Sequence, residues 1–258
     1  MVLAASALDI LIFGLLGLIL GSFASALIHR VPAGLSWFSF LNHAERRSAC
    51  PHCGTTLRVV DLVPVLSWIF LKGRCRYCGK PIGIIYPLTE LSVMIAVIAY
   101  VCVHGAYPLE ISIPVMLACP FLAALFVIDL KTKTLPNPLV LILAVLSTAH
   151  LIGSVLHAEH LSFVAFEHIG GAFFYGLIAF ILALTMEKIL KKPALGGGDI
   201  KFMTVCGLWL GLSDLAAFFI ISGILGVCLG MLWRKWQGQS VFPFGPALIL
   251  AFYALLLV

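Results

Sequence analysis

Charge is what this chain has least of. Asp, Glu, Lys and Arg together make up 10% of its 258 residues, against 62% hydrophobic, and the mean hydropathy is +1.13. A soluble domain of this length needs far more charge to cover its surface, so the composition excludes an ordinary globular protein. Also missing are internal repeats of 20–50 residues, low-complexity tracts, a Gly-rich nucleotide fingerprint and any i, i+4 histidine pair on an apolar run. The leading segment, Met1 to Asp9, has no basic residue and one acid, the reverse of a signal-peptide n-region. The first apolar run is therefore expected to remain as a span and not to be cleaved.

Long apolar runs are what the chain has instead. Eight reach or approach the ~20 residues that cross a bilayer as helix: 8–28, 84–104, 111–129, 137–157, 166–188, 200–212, 215–233 and 241–258. The sixth is short, so a tilted, broken or re-entrant segment is open there. If the runs alternate, all sixteen Lys and Arg fall on one side, while Asp9, Glu110, Glu159, Glu167 and Asp214 mark the other. Retention of cationic loops makes the basic side cytoplasmic and puts both termini outside. The net charge of +5 is explained by this orientation, and no nucleic-acid partner is needed. The expected fold is an all-α polytopic membrane protein: a first transmembrane helix (1–28), a cytoplasmic insertion (29–83) and a helical bundle (84–258). Trp37, Phe38, Phe40 and Leu41 are expected to lie against lipid headgroups.

Within the insertion stand Cys50-Pro51-His52-Cys53 and Cys75-Arg76-Tyr77-Cys78. Two Cys-x-x-Cys pairs at this spacing present four thiolates to one structural zinc ion, with no position left for substrate. Gly54 and Gly79 follow where the chain must turn tightly. Disulfides are the rival, but a cytoplasmic location is reducing. His52 is surplus to four sulfurs. Cys102, Cys119, Cys206 and Cys228 fall in apolar runs, where they read as packing residues.

Two acids stand out at the edges of cytoplasmic span ends, where an ionisable group is costly. Asp129 closes the third span before Leu135-Pro136, and Asp199 opens the sixth after Gly196-Gly197-Gly198. The two spans run in opposite directions, so both carboxyls reach one membrane face. Two such groups sharing a proton can activate water and protonate a carbonyl, which hydrolyses a peptide without metal or covalent intermediate. The three glycines leave room for an extended substrate backbone. The plainer alternatives are a helix N-cap for Asp199 and pairing of Asp129 with Lys131 or Lys133.

Gly196-Gly197-Gly198-Asp199 fits the Gly-x-Gly-Asp motif of intramembrane aspartic peptidases, and the chain as a whole resembles the bacterial type IV prepilin peptidases, or leader peptidase/N-methyltransferases. The likeness runs in order through Gly21-Ser22-Phe23 with Arg30 and Pro32, Ser48-Ala49-Cys50-Pro51, Asp61-Leu62-Val63-Pro64 and Ser67-Trp68. It continues through Tyr86-Pro87-Leu88 with Glu90, Asp129-Leu130, Leu135-Pro136 and Pro243-Phe244-Gly245-Pro246. The resemblance implies that Asp129 and Asp199 are the catalytic pair. It also implies prepilin or pseudopilin substrates, each with a short basic leader, a Gly before the cut bond and an apolar helix after it. It implies a second activity, N-methylation from S-adenosylmethionine, although Ser25 stands where Asn is usual in the region associated with methylation. Glu90 is open between a supporting role and a plain interfacial acid. Pro243 and Pro246 mark either a helix start or a broken helix edge lining a cleft. Outside this family, a transporter using the two acids as an ion site, or an assembly factor docking through the zinc insertion, are the alternatives.

Overall fold

A computed structural model describes residues 6–35, 48–105, 108–191, 195–237 and 242–258. The described residues fold as helices α1 (Ala7–Arg30), α2 (Leu66–Phe70), α3 (Ile85–His104), α4 (Leu109–Thr132), α5 (Asn137–Leu156), α6 (Leu161–Leu190), α7 (Gly197–Leu210), α8 (Leu215–Gln237) and α9 (Gly245–Leu255). Among them, α1, α3, α4, α5, α6 and α8 are long and apolar enough to cross a membrane. The runs expected at 200–212 and 241–258 form shorter helices, of 14 and 11 residues. At 1.5 Å per residue, α7 covers roughly 21 Å, short of the ~30 Å hydrocarbon core. The expected headgroup segment Trp37, Phe38, Phe40 and Leu41 lies outside the described residues.

The chain divides into two compact units, residues 1–106 with 119–124, and residues 107–118 with 125–258. In the first, α1 packs along α3 through small residues. A Cβ added to Gly17 would stand 2.7 Å from the Met94 Cα, and one on Gly21 would stand 2.6 Å from the Glu90 Cα. Lipid offers no hydrophobic reward for helix pairing, so backbone approach over glycine supplies the van der Waals contact that does. The cysteine insertion between these helices is built from short turns. Two isolated antiparallel bridges, Ala49 to Thr56 and Arg74 to Pro81, each close one Cys-x-x-Cys loop.

In the second unit α6 and α7 approach so closely at Gly171 and Gly207 that a side chain on either would strike the other's backbone. The Trp209 indole N–H donates to the Leu143 carbonyl at 3.2 Å, tying α7 to α5. Such interhelical bonds contribute about 0.6–2 kcal/mol in a membrane. Trp209 also stacks on His150 at 5.0 Å. The short α7 is thereby fixed on two sides, which holds its N-terminus, and the residues there, in place.

Candidate active site

Asp129 lies in the last turn of α4, which ends where Lys133 turns left-handed at φ +56°. Its side chain is buried, 3% exposed, and its Oδ2 accepts the Gly245 N–H at 2.9 Å. Gly245 is the first residue of α9, so that N–H is one of the donors a helix start leaves unpaired. Pro246 follows and has no N–H to offer. The residue is glycine because a Cβ there would stand 2.6 Å from Asp129 Oδ2 and 2.9 Å from its carboxyl carbon.

Asp199 stands in the first turn of α7, half-buried. It is not the N-cap, a place taken by Gly196. Its Oδ2 reaches back to accept the Gly196 N–H at 3.1 Å. Leu135 packs against the glycine next to Asp199 and against the glycine that donates to Asp129. A Cβ on Gly198 would lie 3.1 Å from the Leu135 Cβ and carbonyl oxygen, and a Cβ on Gly245 would lie 3.0 Å from a Leu135 methyl. Gly197 faces open space, with nothing within 4 Å of an added Cβ. Asp129 is buried and Asp199 half-buried, and a pair of carboxyls, once close enough to share a proton, can polarise water toward a carbonyl. Nearby, the Lys201 ammonium donates to Asn137 Oδ1 at 3.0 Å, linking the starts of α7 and α5.

Glu90 belongs to the first unit and has partners of its own. It is 9% exposed and its Oε2 accepts the Val65 N–H at 2.7 Å, with Ser22 as a further hydrogen-bond partner. Val65 has φ +59°, which a β-branched residue adopts only under strain, so Glu90 pins a distorted turn of the insertion to α3.

The Sγ atoms of Cys50, Cys53, Cys75 and Cys78 all lie within 4.8 Å of one another, and none is in a disulfide. Tetrahedral Zn–S bonds of ~2.3 Å require sulfurs about 3.8 Å apart, and Cys50 and Cys78 are already at 3.9 Å. The two loops match: Gly54 N–H donates to Cys50 O and Gly79 N–H to Cys75 O, each at 2.9 Å, with both glycines at φ +69°. Cys53 is drawn down to about 6, first by the Thr55 hydroxyl and then by its backbone. At Cys78 the Lys80 backbone acts in the same sense, but burial and the crowding thiols outweigh it and push the group up to about 11. Four thiols this close ionise together only with a cation among them, so the donor set fits a metal ion. Beside it, burial works against the Asp61 carboxylate. The hydrogen bond and charge of Arg76, the Arg58 N–H and the Tyr77 hydroxyl overcome that and hold it below the usual range.

The Gly245 contact is the part of the site that sequence reasoning missed. Its signal was present as a glycine between two prolines at a helix start, but its partner lies 116 residues away.

The profile described as Bacterial Peptidase A24 N-terminal domain matches residues 15–104, and that of the Type IV leader peptidase family matches residues 116–231. A prepilin leader peptidase/N-methyltransferase of Burkholderia pseudomallei is 33% identical, covering 90% of this chain and 80% of the relative. A protein of the same name from Aeromonas hydrophila is 31% identical, covering 94% and 88%. The type 4 prepilin-like proteins leader peptide-processing enzyme of Escherichia coli is 33% identical, covering 91% and 88%. No solved structure matches.

Proposed function

Because the chain belongs to the type IV leader peptidase family, we propose that Asp129 and Asp199 are its catalytic pair and that it removes the leader of prepilins or pseudopilins at the cytoplasmic face of the inner membrane. The observation that supports this is the meeting of helix ends at Leu135: Asp129 of α4 accepts the Gly245 N–H, and Leu135 lies against both Gly245 and Gly198, the neighbour of Asp199. The ionised member of the pair takes a proton from water while the protonated member donates to the scissile carbonyl, giving a tetrahedral diol. Return of a proton to the amine nitrogen then breaks the C–N bond. Gly196, Gly197 and Gly198 leave the approach to Asp199 clear for an extended backbone.

Cys50, Cys53, Cys75 and Cys78 hold a structural zinc ion in this reading. Apparent binding energies of about 10–16 kcal/mol are enough to fold a small insertion that has little core. The basic loops put the insertion and the two acids inside and both termini outside. A second activity, methylation of the newly exposed N-terminus from S-adenosylmethionine, is supported by the double name of the relatives. A transporter reading is less favoured, because both acids stand at helix ends on one face, whereas transport sites lie near the midplane. Incubating the purified protein with a prepilin and weighing the product tests the proposal. Loss of the leader supports the peptidase, and intact prepilin opposes it.

A further inference from the structure

The cysteine insertion carries an apolar stretch that the rest of its unit leaves uncovered. Residues 59–70 hold one charge, Asp61, and that is turned onto Arg76 at 2.6 Å. Val59 is 82% exposed and Phe70 80%, and Val60, Leu66 and Ile69 are more than half exposed. Leu66, Ile69 and Phe70 lie at i, i+3 and i+4 of α2, so they share one face of that helix. The helix cannot roll to bury them. The Trp68 indole N–H donates to the Ile82 carbonyl at 3.1 Å, and the Trp68 carbonyl accepts the Gly73 N–H at 2.8 Å. A contiguous apolar surface of this kind marks a contact with lipid or with protein.

We infer that residues 59–70 are a lipid-binding surface that dips among the acyl chains of the bilayer, with Arg58, Lys72 and Arg74 set to meet anionic phospholipid headgroups. Depth is the first reason for choosing lipid over a protein partner. The 24 residues of α1 cover roughly 36 Å, more than the ~30 Å hydrocarbon core, so its basic last turn, His29 and Arg30, reaches the headgroups. Gly21 lies about 13 Å before that end, and it packs against the Glu90 Cα. The Glu90 carboxylate in turn accepts the Val65 N–H at 2.7 Å. The turn leading into α2 is therefore level with the first turns of α3 and does not stand clear of the helix ends. Continuity is the second reason: Ile84 and Leu88, at the start of α3, are exposed apolar residues too, so lipid-facing surface is already present at this level. Charge is the third. Arg58 precedes the apolar stretch, Lys72 and Arg74 follow it, and all three are exposed. Interfacial segments combine an apolar face buried about 5–10 Å deep with Lys and Arg for anionic lipid. The same cations oppose a basic leader peptide as the occupant. Seated in this way, the insertion is fixed to the bilayer surface by its own side chains as well as by α1 and α3.

The test reads contact with lipid directly and is independent of prepilin cleavage. The full-length, zinc-loaded chain carrying Phe70→benzoylphenylalanine is placed in nanodiscs of phosphatidylethanolamine and phosphatidylglycerol and irradiated. Mass spectrometry of the peptide that contains residue 70 is expected to show phospholipid adducts. Adding Lys72→Gln and Arg74→Gln should lower the phosphatidylglycerol-to-phosphatidylethanolamine ratio of those adducts by about five-fold per cation removed. The unaltered chain supplies a second readout. In the same nanodiscs, hydroxyl radicals generated in water should lose most of the oxidation of Phe70 that they produce in the denatured chain, whereas a ring 80% exposed and bathed in water would keep it. Absence of lipid adducts, adducts confined to a second copy of the chain, displacement of lipid adducts by added prepilin, or full oxidation of Phe70 would each overturn the inference. An unchanged lipid ratio in the Lys72 and Arg74 variant would overturn its headgroup selectivity.

Discussion

Replacing Gly245 by Ala puts a methyl group where the Asp129 carboxylate stands. The added carbon would lie 2.6 Å from Oδ2, 2.9 Å from the carboxyl carbon and 3.0 Å from a Leu135 methyl. Ordinary carbon–oxygen contacts are about 3.3–3.6 Å, so the carboxylate must retreat by roughly 0.7–1 Å, and its hydrogen bond from the Gly245 N–H is stretched. A misplacement of about 1 Å in a catalytic group costs on the order of 10²-fold. Gly198→Ala meets Leu135 at 3.1 Å, a gentler clash of a few tenths of an ångström, so a loss of about ten-fold or less is expected. Gly197→Ala meets nothing within 4 Å, so any loss there should raise KM through the substrate and leave kcat nearly intact. The assay is steady-state cleavage of a purified prepilin in detergent, with zinc content and melting temperature confirming that each variant folds. A Gly245→Ala protein with unaltered kcat, or one less impaired than Gly197→Ala in kcat, would refute the reasoning.

Glu90→Ala removes the acceptor of the part-buried Val65 N–H, a loss of about 1 kcal/mol; limited proteolysis should then cut faster near residues 59–66, whereas Glu90→Gln, which keeps an acceptor oxygen, should resist better. Chelation, or Cys50→Ser with Cys75→Ser, should release about one zinc per chain and unfold the insertion, read as loss of metal and of protease resistance in residues 48–83. Acid should loosen the same region. The Asp61 carboxyl is held below its usual value, so its contribution is complete above about pH 4 and is lost as the pH falls through the lower folded value. Asp61→Asn should remove that part of the acid dependence of protease resistance.

The membrane-spanning helices were legible because apolar runs of 20 residues have few other uses, and α1, α3, α4, α5, α6 and α8 stand where those runs are. The two short helices were not legible as such. The apolar character of 200–212 and 241–258 is the same whether a segment spans the bilayer or stops inside the bundle, and only the interruptions at Gly211 and Phe244 fix their lengths. The four cysteines were readable from spacing, since a Cys-x-x-Cys turn with a following glycine is a local structure. The alignment of Asp129 with Asp199 could be argued from alternating direction alone. What supports each acid could not, because Gly245, Leu135 and Gly198 meet only after α4, α7 and α9 have packed. Glu90 was ambiguous for a like reason: its partner Val65 is on a turn whose left-handed backbone no propensity announces.

In the proposed reaction the two carboxyls work as a pair. Asp129→Asn and Asp199→Asn, made singly, keep the shape of each side chain and an oxygen for the Gly245 and Gly196 N–H groups. Each zinc-loaded variant should release the leader from a purified prepilin about 10²–10⁴-fold more slowly than the unaltered protein, as read by mass spectrometry of the product. Near-normal cleavage by either folded variant would contradict the pairing and the chemistry built on it.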